Sequence, residues 1–258
     1  MSDRVSDCMS DCMSDWIVPD WPAPPNVRAL FTTRNGGASA GPYASLNLGD
    51  HVGDDPLNVE KNRNLLRQFL PGEPMWLKQV HGTAAVDADN HSCMAPCTGD
   101  AAFSRSPGNV CAVLVADCLP ILLCDQAGTM VGVIHAGWRG MAEGVIERTL
   151  SEIGVENMRM MVWLGPAIGP NHFEVGDEVR QAFMKDDARA ASAFFPHPRD
   201  DAKWFADLFI LARQRLAKAG IDQIYGGGQC TFSDSSRFFS YRRDGTTGRM
   251  AALICLTD

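Results

Sequence analysis

The sequence predicts an α+β fold, a single domain of mixed β-sheets flanked by helices. Two observations carry this. Short apolar, β-branched runs follow one another across turns too brief for a helix, as in Val110–Ala116, Ile121–Asp125 and Thr129–His135. Other strand-like runs are separated by segments with helical spacing. Hairpins and crossovers in one chain give mixed sheets. No linker-like stretch divides residues 16–258, so they are expected to form one domain after an acidic tail at residues 1–15.

The chain has 258 residues, 45% hydrophobic and 21% charged, enough for a substantial core. Its net charge of -8 argues against a nucleic-acid partner. The longest apolar run, Val110 to Cys124, is broken by Asp117 and Pro120 and is too short to span a bilayer. No membrane partner is expected. With no signal-peptide pattern in the first residues, a cytoplasmic location is expected. Nine cysteines, an odd number with Cys111, Cys118, Cys124 and Cys255 in apolar surroundings, do not resemble a disulfide framework.

The elements follow in order. The tail repeats Ser-Asp-Cys-Met around Cys8 and Cys12, which reads as an unstructured terminus rather than a thiol motif. Val27–Thr33 is a strand candidate. It enters a long Gly/Ser/Asn-rich loop that begins at Arg34 and runs to Gly49. Asp55 and Pro56 open a helix that reaches Phe69. Met75–Val80 reads as a strand ending on His81-Gly82. The His91–Cys97 stretch fits no common zinc spacing, and its cysteines read as incidental. Asp100–Phe103 is a short strand, and Asp117-Cys118 stands at the junction of the next two.

After His135 the segment Ala-Gly-Trp-Arg139-Gly is a glycine-permitted turn, and Met141–Ile153 is helical. The start of that helix is expected to attract an anion. Arg159–Leu164 is a strand, and Val175–Met184 and Trp204–Ala219 are helices. Ile221–Tyr225 begins a strand. Phe238–Gly248 is read as a strand closed by a glycine turn, and Met250–Leu256 as a last buried strand.

Three residues at the ends of these runs stand out: His81, Cys118 and His135. Two imidazoles and a thiolate make a zinc ligand set with a fourth position left for water or substrate. The same residues also allow a metal-free Cys118 nucleophile paired with either histidine. Spacing alone does not choose between them.

Six blocks narrow the choice. They are Phe31-Thr-Thr-Arg-Asn-Gly-Gly, Lys78-Gln-Val-His-Gly82, Ala116-Asp-Cys-Leu-Pro120, His135-Ala-Gly-Trp-Arg-Gly140, Gly165-Pro-Ala-Ile-Gly-Pro170 and Phe239-Ser-Tyr-Arg-Arg-Asp-Gly245. Together they resemble the YfiH family, also called the laccase-domain or polyphenol oxidase family, whose fold is cysteine-hydrolase-like. The resemblance implies zinc held by His81, Cys118 and His135, which would also be the catalytic residues. It implies phosphorolysis of adenosine, inosine, guanosine or methylthioadenosine, with adenosine deamination as a second activity. Purine nucleosides and phosphate would be the partners.

Arg34, Lys78, Asp117, Arg139, Tyr241 and Arg242 are the expected substrate-binding residues, with phosphate on Arg34, Lys78 or Arg139. Two other activities attach to the same resemblance. One is peptidoglycan editing by a cysteine hydrolase. The other is copper-dependent polyphenol oxidation, for which six histidines are few, so copper is the less expected metal.

Overall fold

Alternation along the central strands sets the layers. The computed structural model describes residues 15–90, 97–154 and 159–258. The strands are β1 (Val27–Phe31), β2 (Pro74–Trp76), β3 (Ala85–Asp87), β4 (Ala101–Ser104), β5 (Val110–Val115), β6 (Leu119–Asp125) and β7 (Val131–Ala136). They continue with β8 (Met160–Leu164), β9 (Glu174–Gly176), β10 (Phe194–Pro196), β11 (Lys203–Ala206), β12 (Gln223–Gly226) and β13 (Met250–Leu256). The helices are α1 (Pro56–Arg67), α2 (Trp138–Glu143), α3 (Val145–Ile153), α4 (Asp177–Met184), α5 (Leu208–Lys218) and α6 (Tyr241–Asp244).

Three sheets form, with strand orders β1-β13-β5-β2, β12-β8-β6-β7-β4-β3 and β10-β11-β9. The first two mix parallel and antiparallel pairs, as the interleaved hairpins and crossovers predict. The four- and six-stranded sheets pack face to face. Cys111, Val113 and Val115 of β5 meet Leu122 and Cys124 of β6 and Val131 and Val133 of β7. The alternate residues face outward. Ile121 and Leu123 of β6 pack with Val145, Ile146 and Leu150 of α3 and Leu211 of α5. Ala112 and Leu114 of β5 pack with Leu66 of α1. Two-residue alternation thus gives every central strand a buried environment on both faces, which explains their continuous apolar runs. Each such large side chain contributes about 1.5–3 kcal/mol by leaving water.

Several elements differ from the sequence reading. The strand expected to end on His81 ends at Trp76, and His81 takes a left-handed backbone at φ 59. The helix expected over Met141–Ile153 begins earlier, at Trp138, and breaks at Gly144, whose φ of 98 stops α2 and opens α3. With only six residues, α2 is too short to serve as an anion-binding dipole. Residues Glu174–Gly176 and Lys203–Ala206 pair as strands instead of starting helices. Asp207 is the reason in the second case: its carboxylate caps α5 by accepting from the N–H groups of Phe209 and Ile210. Phe238 and Phe239 are buried but not in a strand, and Ser240 caps α6 where a strand was expected.

The cap of α1 is as read. Asp55 accepts from the Leu57 N–H at 2.9 Å, with Pro56 in the first turn. Asp55→Ala is expected to lower stability by about 0.5–2 kcal/mol. Urea unfolding of both proteins would measure it, and an unchanged midpoint would refute it.

The loop after β1 is tied to the body. Asn62 of α1, fully buried, donates to Ser39 Oγ and to the carbonyls of Ser45 and Asn47, and accepts from the Ala38 N–H. The Cys8 and Cys12 repeat and His91–Pro96 with Cys93 lie outside the described residues. Asp15, which the sequence places in the tail, accepts from Thr33 Oγ1 and Asn35 Nδ2, each at 2.7 Å. Among the described residues no helix is long and apolar enough to cross a membrane.

Candidate metal centre

Three chain breaks converge at one end of the six-stranded sheet. In the β6–β7 pair Pro120 lies opposite His135 and Leu119 opposite Ala136. Continuing that register brings Cys118, just before β6, next to Gly137, just after β7. The third break is the turn at His81. The Cys118 Sγ is 3.7 Å from His81 Nε2, the two imidazole rings are 4.8 Å apart edge to face, and the three donor atoms lie within 4.8 Å of one another. Among the described residues this is the one cluster of three or more side chains able to hold a metal ion.

Asp100, fully buried at the head of β4, organises two of the three. Its Oδ1 accepts from the His81 N–H at 2.9 Å and lies 2.8 Å from His135 Nδ1. Its Oδ2 accepts from the N–H groups of Val80 at 3.1 Å and Gly82 at 2.8 Å. Its own carbonyl accepts from the His135 N–H. These bonds hold the positive φ of His81, a conformation that otherwise costs about 1–3 kcal/mol. They also turn His135 so that Nε2 faces the sulfur. Burial works against the ionised Asp100, but its bonds with His135, Gly82 and Val80 outweigh it and hold the carboxyl below the usual range.

The charges suit a metal. Burial would push the Cys118 thiol up, yet His135 and His81 reverse this and favour the thiolate. Burial would push His135 down, yet the Cys118 charge and the Asp100 bond raise it. A thiolate beside an imidazolium is a donor set in which one proton is exchanged for a divalent ion. Gly137 leaves the space. A Cβ there would lie 2.8 Å from His81 Cδ2 and 3.2 Å from Cys118 Sγ, between two of the donors. Gly137→Ala keeps every donor but displaces two. It is expected to weaken metal binding about tenfold, the lower end for lost ligand support. Chelator competition measures this, and wild-type affinity would refute it.

The cluster opens into a cleft of about 600 Å³. Asp117, Arg139, Tyr241 and Arg242 line it, as do His51, Gln79, Trp138 and Arg249. Arg34 and Lys78 do not line it. The Arg34 guanidinium braces the loop, donating to the carbonyls of Ala44 and Ser235 and stacking on Phe239. Lys78 is exposed beside a bridge to Thr98. Asp117, at φ 93, faces protein donors: Thr231 Oγ1 at 2.6 Å, Ser240 Oγ at 3.0 Å and the Arg242 N–H at 2.6 Å. It pins three segments at the cleft wall.

Asp100, Gly137 and Arg249 were missed by the sequence reading. A lone acid between Gly99 and the apolar Ala101-Ala-Phe run was a usable signal for Asp100. Arg249 offered none.

A family described as multi-copper polyphenol oxidoreductase laccase matches residues 28–257. The chain belongs to this family. The Escherichia coli K12 member named purine nucleoside phosphorylase YfiH is 52% identical over 242 residues, 93% of this chain and 98% of its own length. A Pseudomonas aeruginosa protein named purine nucleoside phosphorylase is 52% identical over 243 residues, covering 94% and 99%. Among solved structures, a Neisseria meningitidis protein superposes with a TM-score of 0.90 at 46% identity, over 95% of this chain and 100% of that one. YlmD from Geobacillus stearothermophilus gives 0.82 at 30% identity, over 95% and 97%. The YfiH name agrees with the six sequence blocks, and these neighbours share the mixed-sheet fold. His81, Cys118 and His135 of this laccase-domain protein fall in three of those blocks.

Proposed function

We propose that this chain is a zinc-dependent purine nucleoside phosphorylase with His81, Cys118 and His135 as its metal ligands and catalytic residues. The observation that carries the reading is their convergence at the floor of a cleft large enough for a nucleoside, in a chain half identical to proteins named for that activity. In phosphorolysis a phosphate oxygen bonds to C1′ of the ribose as the C1′–N9 bond breaks. The purine leaves with the electron pair and takes up a proton.

Zinc would supply Lewis acidity and bring the pKa of water toward neutrality, which also suits deamination at C6 of adenosine. The protein's part is to bind and orient. Trp138 and Tyr241 line the cleft with the guanidinium groups of Arg139 and Arg249 over their rings, and Asp117 fixes the wall that carries Arg242.

Zinc is favoured over a multi-copper arrangement by the other three described histidines. His51 is beside Asp50, His172 stacks on Phe232, and His197 pairs with Glu174, each apart from a second donor cluster among the described residues. The thiolate–imidazolium pair supports a second reading, a cysteine hydrolase acting on cell-wall amides.

Incubating the purified protein with adenosine, with and without phosphate, separates these. Adenine with ribose 1-phosphate identifies phosphorolysis, and inosine identifies deamination. Neither product, with substoichiometric metal in folded protein, would overturn the proposal in favour of the thiol hydrolase.

A further inference from the structure

The cleft beside the metal cluster carries three guanidinium groups, Arg139, Arg242 and Arg249, in a chain whose net charge is -8. Several arginines elsewhere are paired with acids, as Arg63 is with Asp50, Arg148 with Glu152 and Arg215 with Glu147. None of the three in the cleft forms an ion pair among the described residues. The cleft's own carboxylate, Asp117, has both oxygens taken by Thr231, Ser240 and the Arg242 N–H. Glu174, the acid whose field reaches Arg242, pairs with Lys203 and His197.

Two of the three are held ready. Arg249 is partly buried; its Nη1 donates to the carbonyls of Thr247 at 3.1 Å and Gly248 at 3.0 Å. Its Nε and Nη2 keep their protons unspent among the described residues. The Arg139 guanidinium lies over the Trp138 ring, 4.6 Å from its centroid, which orients its plane without using its donors. Cationic groups that line one concave, partly dry space raise the local concentration of anions. Planar forks with free N–H pairs suit a tetrahedral oxyanion.

We infer that Arg139, Arg242 and Arg249 form an orthophosphate subsite in the cleft, taking the role that the sequence reading gave to Arg34, Lys78 or Arg139. The inference rests on the phosphorolysis reading for the identity of the anion. It places the phosphate in the same cleft as His81, Cys118 and His135, away from Arg34 and Lys78. Of the residues expected from sequence to hold phosphate, it keeps one and replaces two.

The test is direct titration of the intact, metal-loaded protein with inorganic phosphate at constant ionic strength, by calorimetry. Sodium chloride is the control, and adenosine monophosphate a separate arm. Wild type is expected to bind phosphate. Arg139→Met, which removes no hydrogen bond or ion pair among the described residues, and Arg249→Lys, which keeps the stem and charge, are each expected to weaken it about tenfold. Lys61→Ala, an exposed charge on α1, should leave it unchanged.

In turnover, the KM for phosphate should rise in both cleft variants with the KM for nucleoside held. Equal phosphate affinity in wild type and both variants overturns the subsite, even where phosphorolysis proceeds. So does binding of the nucleotide without binding of inorganic phosphate. Phosphate binding that the variants lose, in a protein that cleaves no nucleoside, upholds the subsite and refutes the phosphorolysis reading.

Discussion

Cys118→Ala is expected to abolish metal binding and to lower phosphorolysis by at least about a thousandfold, with the fold retained. The sulfur is the one anionic donor in the cluster, 3.7 Å from His81 Nε2. Its removal leaves two imidazoles, too few for a three-ligand catalytic site. It also removes the negative charge that raises His135, so that imidazole returns toward its ordinary neutral state.

The structural cost is small. Cys118 is half-buried in a turn at the margin of the core, and the change deletes a single sulfur that faces the cleft and His81. Stability should shift by no more than about 0.5–1 kcal/mol. Metal content by mass spectrometry, circular dichroism and turnover on adenosine with phosphate are the three measurements. A folded Cys118→Ala protein with wild-type turnover would remove the thiolate from the chemistry altogether.

Two residues of this cluster, Cys118 and His135, were legible because they mark breaks between buried runs. Cys118 lies in the short connection by which the chain passes from β5 in one sheet to β6 in the other, and His135 lies near the end of β7, where apolar alternation gives way to a turn. The central strands were legible for a related reason: burial on both faces leaves continuous Val, Ile and Leu runs that few other structures accommodate. The small β10-β11-β9 sheet was not. Its strands are three or four residues long, and Trp204-Phe-Ala reads equally well as the first turn of the helix that follows. Phe238 and Phe239 misled for the opposite reason. They are buried by packing in the core rather than by pairing in a sheet, and Ser240 next to them caps α6.

Within the site, position along the chain could not reveal partners joined only by folding. Arg249 reaches the cleft from the start of the last strand, and Asp100 is 19 residues from His81 and 35 from His135.

That separation makes Asp100→Asn the sharpest test of how the centre is built. One carboxylate positions two of the proposed metal ligands, from different segments. Oδ1 serves the His81 N–H and His135 Nδ1, while Oδ2 serves Val80 and Gly82. Asparagine keeps the size but has one acceptor and one donor end. In either orientation its NH₂ group meets N–H donors: those of Val80 and Gly82, or those of His81 and His135. Buried donors then go unsatisfied at about 1–3 kcal/mol each, and the left-handed turn at His81 loses its tether.

Metal affinity is expected to fall by about 10–100-fold, although Asp100 is not itself a ligand. Competition with a chromophoric chelator gives the affinity. The visible absorption of the cobalt-substituted protein reports ligand geometry, which general destabilisation of a folded protein would not move. Asp100→Glu should recover part of the affinity by restoring the second acceptor. Wild-type affinity and an unaltered cobalt spectrum in Asp100→Asn would mean that the two histidines hold their places without the carboxylate between them.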